Sequence, residues 1–107
     1  MRIILIVGWL LTTSLTFNAT YYGENFHGNV TFSGEKFDMN KMTCASNYFP
    51  IGTKLKVINK ENGKCVIVRV NDKGAMSKYT IDLSKGAFKR IADLKTGIID
   101  VKVKVIK

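Results

Sequence analysis

Glu35 and Asp72 are the carboxyl groups whose surroundings in the chain suit proton transfer. Asp72 sits at the polar exit of the apolar stretch Val68-Arg69-Val70-Asn71-Asp72-Lys73-Gly74, and Glu35 follows Gly34 in Thr31-Phe32-Ser33-Gly34-Glu35-Lys36-Phe37-Asp38-Met39. A carboxyl at the end of an apolar strand is partly desolvated, which raises its pKa and lets it give a proton and then take one back. Asp72 is therefore the first choice for an acid/base and Glu35 the second. The competing reading makes Asp72 a turn residue that hydrogen-bonds its own backbone ahead of Gly74. Asp38 and Asp82 are read as loop anchors, Asp82 fixing the start of a helix at Ser84, and Glu24, Glu61 and Asp93 as solvated surface. Other chemistries find less support. His27 is the single histidine, and Cys44 and Cys65 are the only cysteines. Neither a Ser/His/Asp triad nor a zinc ligand set can be assembled from them, and the glycines are isolated, not gathered into a phosphate-binding loop. No metal and no cofactor is expected.

These residues need strands to position them. Thr53-Lys54-Leu55-Lys56-Val57 and Ile99-Asp100-Val101-Lys102-Val103-Lys104-Val105 alternate apolar with polar residues, the period of a half-buried strand. Asn62-Gly63 predicts a tight hairpin turn through positive φ values. The returning segment Lys64 to Val70 is nearly continuous in apolar residues and is expected to be buried on both faces. Ser84 is a good N-cap for a helix whose face carries Ala87, Phe88, Ile91 and Leu94, with Gly97 as its stop. The first half, interrupted by Gly23, Gly28 and Gly34, reads as loop and short strand.

Thr31 to Met39, then Phe49-Pro50-Ile51-Gly52-Thr53, then Val68 to Gly74, in this order and spacing, resemble the RlpA family of bacterial lytic transglycosylases. The resemblance runs from about Tyr21 to Ile106. It implies a mainly β fold, a six-stranded double-psi β-barrel with one or two short helices, related to expansins. It also implies endolytic cleavage of peptidoglycan glycan strands lacking stem peptides, yielding 1,6-anhydro-muramic products. In that reaction the muramic 6-hydroxyl closes onto C1 and no water attacks, so one carboxyl can act as acid and then as base. The family's functional glutamate, histidine and aspartate fall on Glu35, Ser46 and Asp72. Ser46, in Thr43-Cys44-Ala45-Ser46, can exchange hydrogen bonds with a sugar or with Asp72 but cannot carry a proton near neutral pH. Lys73 and Ala75 stand where the family has Arg and Pro. Tyr22, His27, Arg69 and Asn71 are the expected substrate-binding residues, with His27 either compensating for the missing histidine or holding a loop. Tyr22 and Tyr48 offer rings for stacking on sugars. Two other classes stay open: an expansin-like module that binds wall polysaccharide without cutting, and an inverting hydrolase whose carboxyls stand about 6.5–9.5 Å apart.

The chain has 107 residues, with 17 Lys and Arg against 8 Asp and Glu and a net charge of +9, which favours a polyanionic partner. The lysines lie at alternate strand positions and form no cluster in the sequence, which argues against nucleic acid. Peptidoglycan fits better, because its lactyl groups and stem peptides carry carboxylates. Met1-Arg2 followed by the apolar run Ile3 to Leu11 is too short for a membrane-spanning helix of about 20 residues. It reads as a signal peptide, cleaved after Ala19 or alternatively after Ser14, with an uncleaved membrane anchor as the competing reading. No cysteine follows it directly, so a lipoprotein anchor has no candidate. The expectation is an exported monomer of the periplasm or outer cell wall without stable membrane insertion, with residues 1–19 as signal and 20–107 as one barrel domain. Cys44 and Cys65 either pair, closing a loop of about 20 residues worth ~3 kcal/mol, or remain buried free thiols.

Overall fold

The computed structural model describes residues 16–106; the signal-segment reading of residues 1–15 lies outside them. The strands are β1 (Phe17–Tyr22), β2 (Thr43–Ala45), β3 (Lys54–Asn59), β4 (Cys65–Asp72), β5 (Thr80–Ser84) and β6 (Ile99–Ile106), with helix α1 (Lys85–Ile91) and single 3-10 turns at Glu24–Phe26 and Leu94–Thr96. They close into a six-stranded barrel in the order β1-β5-β2-β4-β3-β6. Two of the pairs, β1 with β5 and β2 with β4, are parallel, and the others are antiparallel. This is the expected double-psi β-barrel.

Closure decides which side of each strand is dry, because a barrel wall has only one interior face. Leu55 and Val57 of β3, Val66, Val68 and Val70 of β4, Ile81 and Leu83 of β5 and Val101 of β6 fill the inside. Ala87, Phe88 and Ile91 of α1 are fully buried, and Phe88 packs on Tyr21 with ring centroids 4.8 Å apart. Strand β4 is therefore not buried on both faces: Cys65 and Ile67 point to solvent. Its unbroken run of apolar residues hides an ordinary alternation.

Ser84 caps α1 as expected, its hydroxyl accepting from Ala87 N at 3.2 Å. The helix is shorter than its periodicity predicts. Ala92 is extended (φ −157°, ψ 164°), and Leu94 belongs to a separate 3-10 turn capped by Asp93. In the β3–β4 turn only Gly63 takes a positive φ, 74°, and no non-glycine residue described does so. Gly63 N and Asn59 N instead close a wider loop on Asn59 O and Lys64 O, at 2.8 Å each.

Two further expectations change. Phe17 and Ala19 are core residues of β1, in register with Val101 and Ile99 of β6. A domain boundary after Ala19 would cut β1 in half, whereas one after Ser14 leaves it whole. Cys44 and Cys65 are both free, one buried and one exposed. Cys44 lies opposite Val70, five residues along β4 from Cys65, and their side chains point to opposite sides of the wall.

Candidate active site

The segment that carries Glu35 is fastened across the end of β4 by backbone and side chain together. Val30 and Lys36 form an isolated bridge, and Gly34 turns the hairpin at φ 95°. Thr31, buried, donates from its hydroxyl to Glu35 O at 2.8 Å. Ser33 N then donates to Asn71 O at 3.1 Å, and Phe32 N to Asp72 Oδ1 at 2.9 Å. Glu35 and Asp72 are thereby brought to one region, but they do different things.

Glu35 is an ion-pair partner. Arg69 Nη1 lies 2.9 Å from Glu35 Oε1, and Asn71 Nδ2 donates to the same oxygen at 2.8 Å. The hydrogen bonds from Arg69 and then Asn71 hold the Glu35 pKa below the usual glutamate value. Such a group stays ionised at neutral pH and cannot donate a proton. Arg69 and Asn71, the expected substrate-binding residues, are both engaged with Glu35, and Asn71 is buried with its Oδ1 unpartnered among the described residues.

Asp72 Oδ1 accepts from Phe32 N and Lys73 N, both at 2.9 Å, which fixes the carboxyl plane. The residue lines a cavity of about 350 Å³ together with Tyr22, Phe26, Ala45, Lys73, Gly74, Ala75, Met76 and Asp82. Asn47 holds the 73–76 segment over it, its Nδ2 donating to Gly74 O at 2.7 Å and Met76 O at 2.9 Å. A wider cleft of about 600 Å³ lies elsewhere, among Asn18, Asn59, Lys60, Glu61 and Asp100.

Asp82 is the residue that sequence reasoning assigned wrongly. It does not fix the helix start. It sits within β5, accepts the Thr20 hydroxyl at 2.8 Å, and faces the Asp72 cavity. Burial, and secondarily the charge of Asp72, push its pKa up against the opposing Thr20 hydrogen bond. Ala45 is the direct neighbour of Asp72 on β4 and of Asp82 on β5. The two carboxyls thus flank one small residue, about 9.5 Å apart at Cα by two strand spacings. A register shift between Cys44 and Ala45, a bulge that re-aims side chains, places Ala45 opposite Asp72. The only sequence signal for Asp82 was a charge in an otherwise apolar strand, Ile81-Asp82-Leu83.

Tyr22 walls the cavity, but its ring stacks on Phe37 at 4.3 Å and 15°. It presents its hydroxyl, buried and without a hydrogen-bond partner among the described residues, more than a free ring face. Burial first, then the charges of Asp72 and Asp82, raise the Tyr22 pKa. Tyr48 lies away from the cavity in a cluster with Phe17, Phe49 and Tyr79. His27 holds a loop: Met39 N donates to its Nδ1 at 3.2 Å.

Among the described residues Ser46 makes no side-chain hydrogen bond to the Asp72 carboxyl. It is fully buried, and its hydroxyl accepts from Tyr48 N and Phe49 N at 3.1 Å each. Its link to Asp72 runs through the backbone, from Ser46 N to Asp72 O at 3.0 Å. The serine is a turn-capping residue beneath the site.

A family model described as lytic transglycolase matches residues 14–103. The endolytic peptidoglycan transglycosylase RlpA of Neisseria meningitidis is 44% identical over 92 residues, 85% of this chain and 38% of the relative. That of Vibrio cholerae is 43% identical over 89 residues, 82% of this chain and 34% of the relative. The chain thus spans about a third of the length of these curated relatives. Among solved structures, an expansin of Clavibacter michiganensis superposes with a TM-score of 0.72 at 24% identity, over 89% of this chain and 51% of that one. The Streptomyces papain inhibitor does so at 0.70 and 23%, over 90% and 96%. At these identities the structural likeness establishes the barrel alone.

Proposed function

Since the chain belongs to the lytic transglycolase family of double-psi barrels, we propose that it is an exported enzyme that cuts peptidoglycan glycan strands by the lytic route. The observation that carries this is the pair of carboxyls on either side of Ala45, facing one cavity and differing in environment. Burial raises the pKa of Asp82, which suits that carboxyl to carry a proton into the reaction.

Asp82, whose proton is held more tightly because of burial, protonates the departing glycosidic oxygen as the bond to C1 breaks. Asp72, with one oxygen held by two backbone N–H groups, takes the proton of the muramic 6-hydroxyl through its other oxygen as that hydroxyl closes onto C1. No water is consumed. Asp82 ends ionised and Asp72 protonated, and exchange with solvent restores both. The Tyr22 hydroxyl, buried and protonated, donates a hydrogen bond to charge developing in the cavity. Glu35 is a positioning residue: with Asn71 and the Phe32 to Glu35 hairpin it fixes the end of β4 that presents Asp72. The cavity of about 350 Å³ is of a size to take a sugar ring, and the family resemblance favours strands stripped of stem peptides.

Two carboxyls facing one cavity are also the equipment of an inverting hydrolase, which activates a water between them. Mass analysis of products from purified glycan strands separates the readings. Anhydro-muramic ends are expected; reducing ends would establish the hydrolase, and intact strands recovered bound to the protein would establish an expansin-like binder.

A further inference from the structure

Lysines that alternate along β3 and β6 look dispersed in the sequence, but closing the barrel collects them. The outward positions of three adjacent strands are Cys65, Ile67 and Arg69 on β4, Lys54, Lys56 and Ile58 on β3, and Asp100, Lys102, Lys104 and Ile106 on β6. Register then sets cation against cation: Lys54 is the cross-strand partner of Arg69, and Lys56 of Lys104. Like charges directly opposite on a sheet destabilise it. Arg69 is relieved by Glu35, whereas among the described residues none of Lys54, Lys56, Lys102 and Lys104 has an ion-pair partner. Solubility is served by interspersed signs, whereas this wall carries five cations against the single exposed carboxylate of Asp100 at its β6 end and the Arg69-paired Glu35. With about 4.8 Å between strands and about 6.7 Å between alternate residues, the cations form a band on the order of 10 Å wide, suited to a linear polyanion.

We infer that this wall is a docking surface for the carboxylate-bearing glycan strand itself. The inference rests on the peptidoglycan reading above and adds where the strand lies beyond the cut. Continuity selects this occupant. Arg69 binds Glu35, Glu35 binds Asn71, and Asn71 adjoins Asp72, so a strand leaving the cavity passes Arg69 onto Lys54. Exposed Ile67 and half-buried Ile58 lie between the cations, giving apolar rows that fit the C–H faces of sugar rings. Lactyl carboxylates remain on muramic acid after stem peptides are removed, so one strand can occupy cavity and wall together.

The test is co-sedimentation of the full chain with insoluble sacculi across a salt series. The quadruple variant Lys54→Gln, Lys56→Gln, Lys102→Gln, Lys104→Gln should bind about tenfold more weakly at low salt, with a shallower salt slope because fewer counterions are exchanged. Its melting temperature should hold or rise, because repulsion is removed. Lys56→Glu, which gives Lys104 an opposite charge, should raise the melting temperature while weakening binding. Wild-type protein should lose binding to the same degree on sacculi whose carboxyls have been capped as neutral amides. Unchanged binding by the quadruple variant, undiminished binding to capped sacculi, or tighter binding to anionic lipid vesicles than to sacculi would overturn the inference. Salt-sensitive, lysine-dependent binding without any strand cleavage would leave the docking surface standing and remove the catalytic reading.

Discussion

Replacing Asp82 by asparagine separates what this residue does for chemistry from what it does for the fold. Asn keeps the shape, and its Oδ1 can still accept the Thr20 hydroxyl that Asp82 accepts at 2.8 Å. What disappears is the exchangeable proton. Loss of a general acid slows cleavage by about 10²–10⁴-fold, which corresponds to about 2.7–5.4 kcal/mol of transition-state stabilisation. Stability should move the other way. Because burial raises the Asp82 pKa, the folded state binds this proton more tightly than the unfolded chain does. Its stability is greatest below the unfolded value of about 3.9 and falls as pH rises through the folded value. The amide avoids that loss. Asp82→Asn should therefore melt at the same or a higher temperature than wild type at neutral pH, and the difference should vanish below about pH 4. Asp72→Asn, which removes the neighbouring negative charge, should shift the Asp82-linked part of the stability curve to lower pH. The assays are mass-spectrometric release of anhydro-ended products and thermal melts over a pH series. Wild-type cleavage by Asp82→Asn would refute the acid assignment. A lower melting temperature at neutral pH would refute the desolvation argument beneath it.

Ser46→Ala leaves the N–H groups of Tyr48 and Phe49 without their acceptor and should cost about 1–3 kcal/mol of stability; with activity scaled to folded protein, cleavage should be unchanged, and a specific loss would restore Ser46 to the site. Glu35→Gln should cost less than about 1 kcal/mol, since the pair with Arg69 is partly exposed. The pair's contribution should be present above the unfolded glutamate pKa of about 4.3 and fade as pH falls through the lowered folded value; a stability difference that grows on acidification would contradict the ion-pair account. One thiol, Cys65, should react rapidly in native unreduced protein, while Cys44, buried and with its pKa pushed up to about 12, should react only after unfolding; protein two protons lighter than the dithiol form would show a bridge instead. A truncation beginning at Leu15 should fold, whereas one beginning at Thr20 loses buried Phe17 and its β6 pairing and should be about 3–5 kcal/mol less stable or unfolded; equal melting temperatures would show that Phe17 to Ala19 are dispensable, as the Ala19 boundary required.

Local chemistry in the chain was enough for some of this. Alternation along β3 and β6, the Ser84 cap and the position of Asp72 at the end of an apolar strand all depend on neighbours a few residues away. The motif pattern around Glu35 and Asp72 carried the family and with it the barrel. Tertiary structure decided the rest, because register and closure are long-range. Which face of β4 is dry follows from the wall closing around it, so Ile67 is outside although the sequence around it is apolar. Ala45 stands between Asp72 and Asp82 only because β2 is inserted between β4 and β5, and that insertion turned an apparent loop anchor into the second carboxyl of a cavity. Ser46 faces inward to cap a turn, and Glu35 is held by Arg69 and Asn71, contacts that motif position does not disclose. The lysines show the same physics on the outer wall: their spacing is written in the sequence, but only strand register makes Lys56 and Lys104 neighbours and gives the barrel a predominantly cationic face.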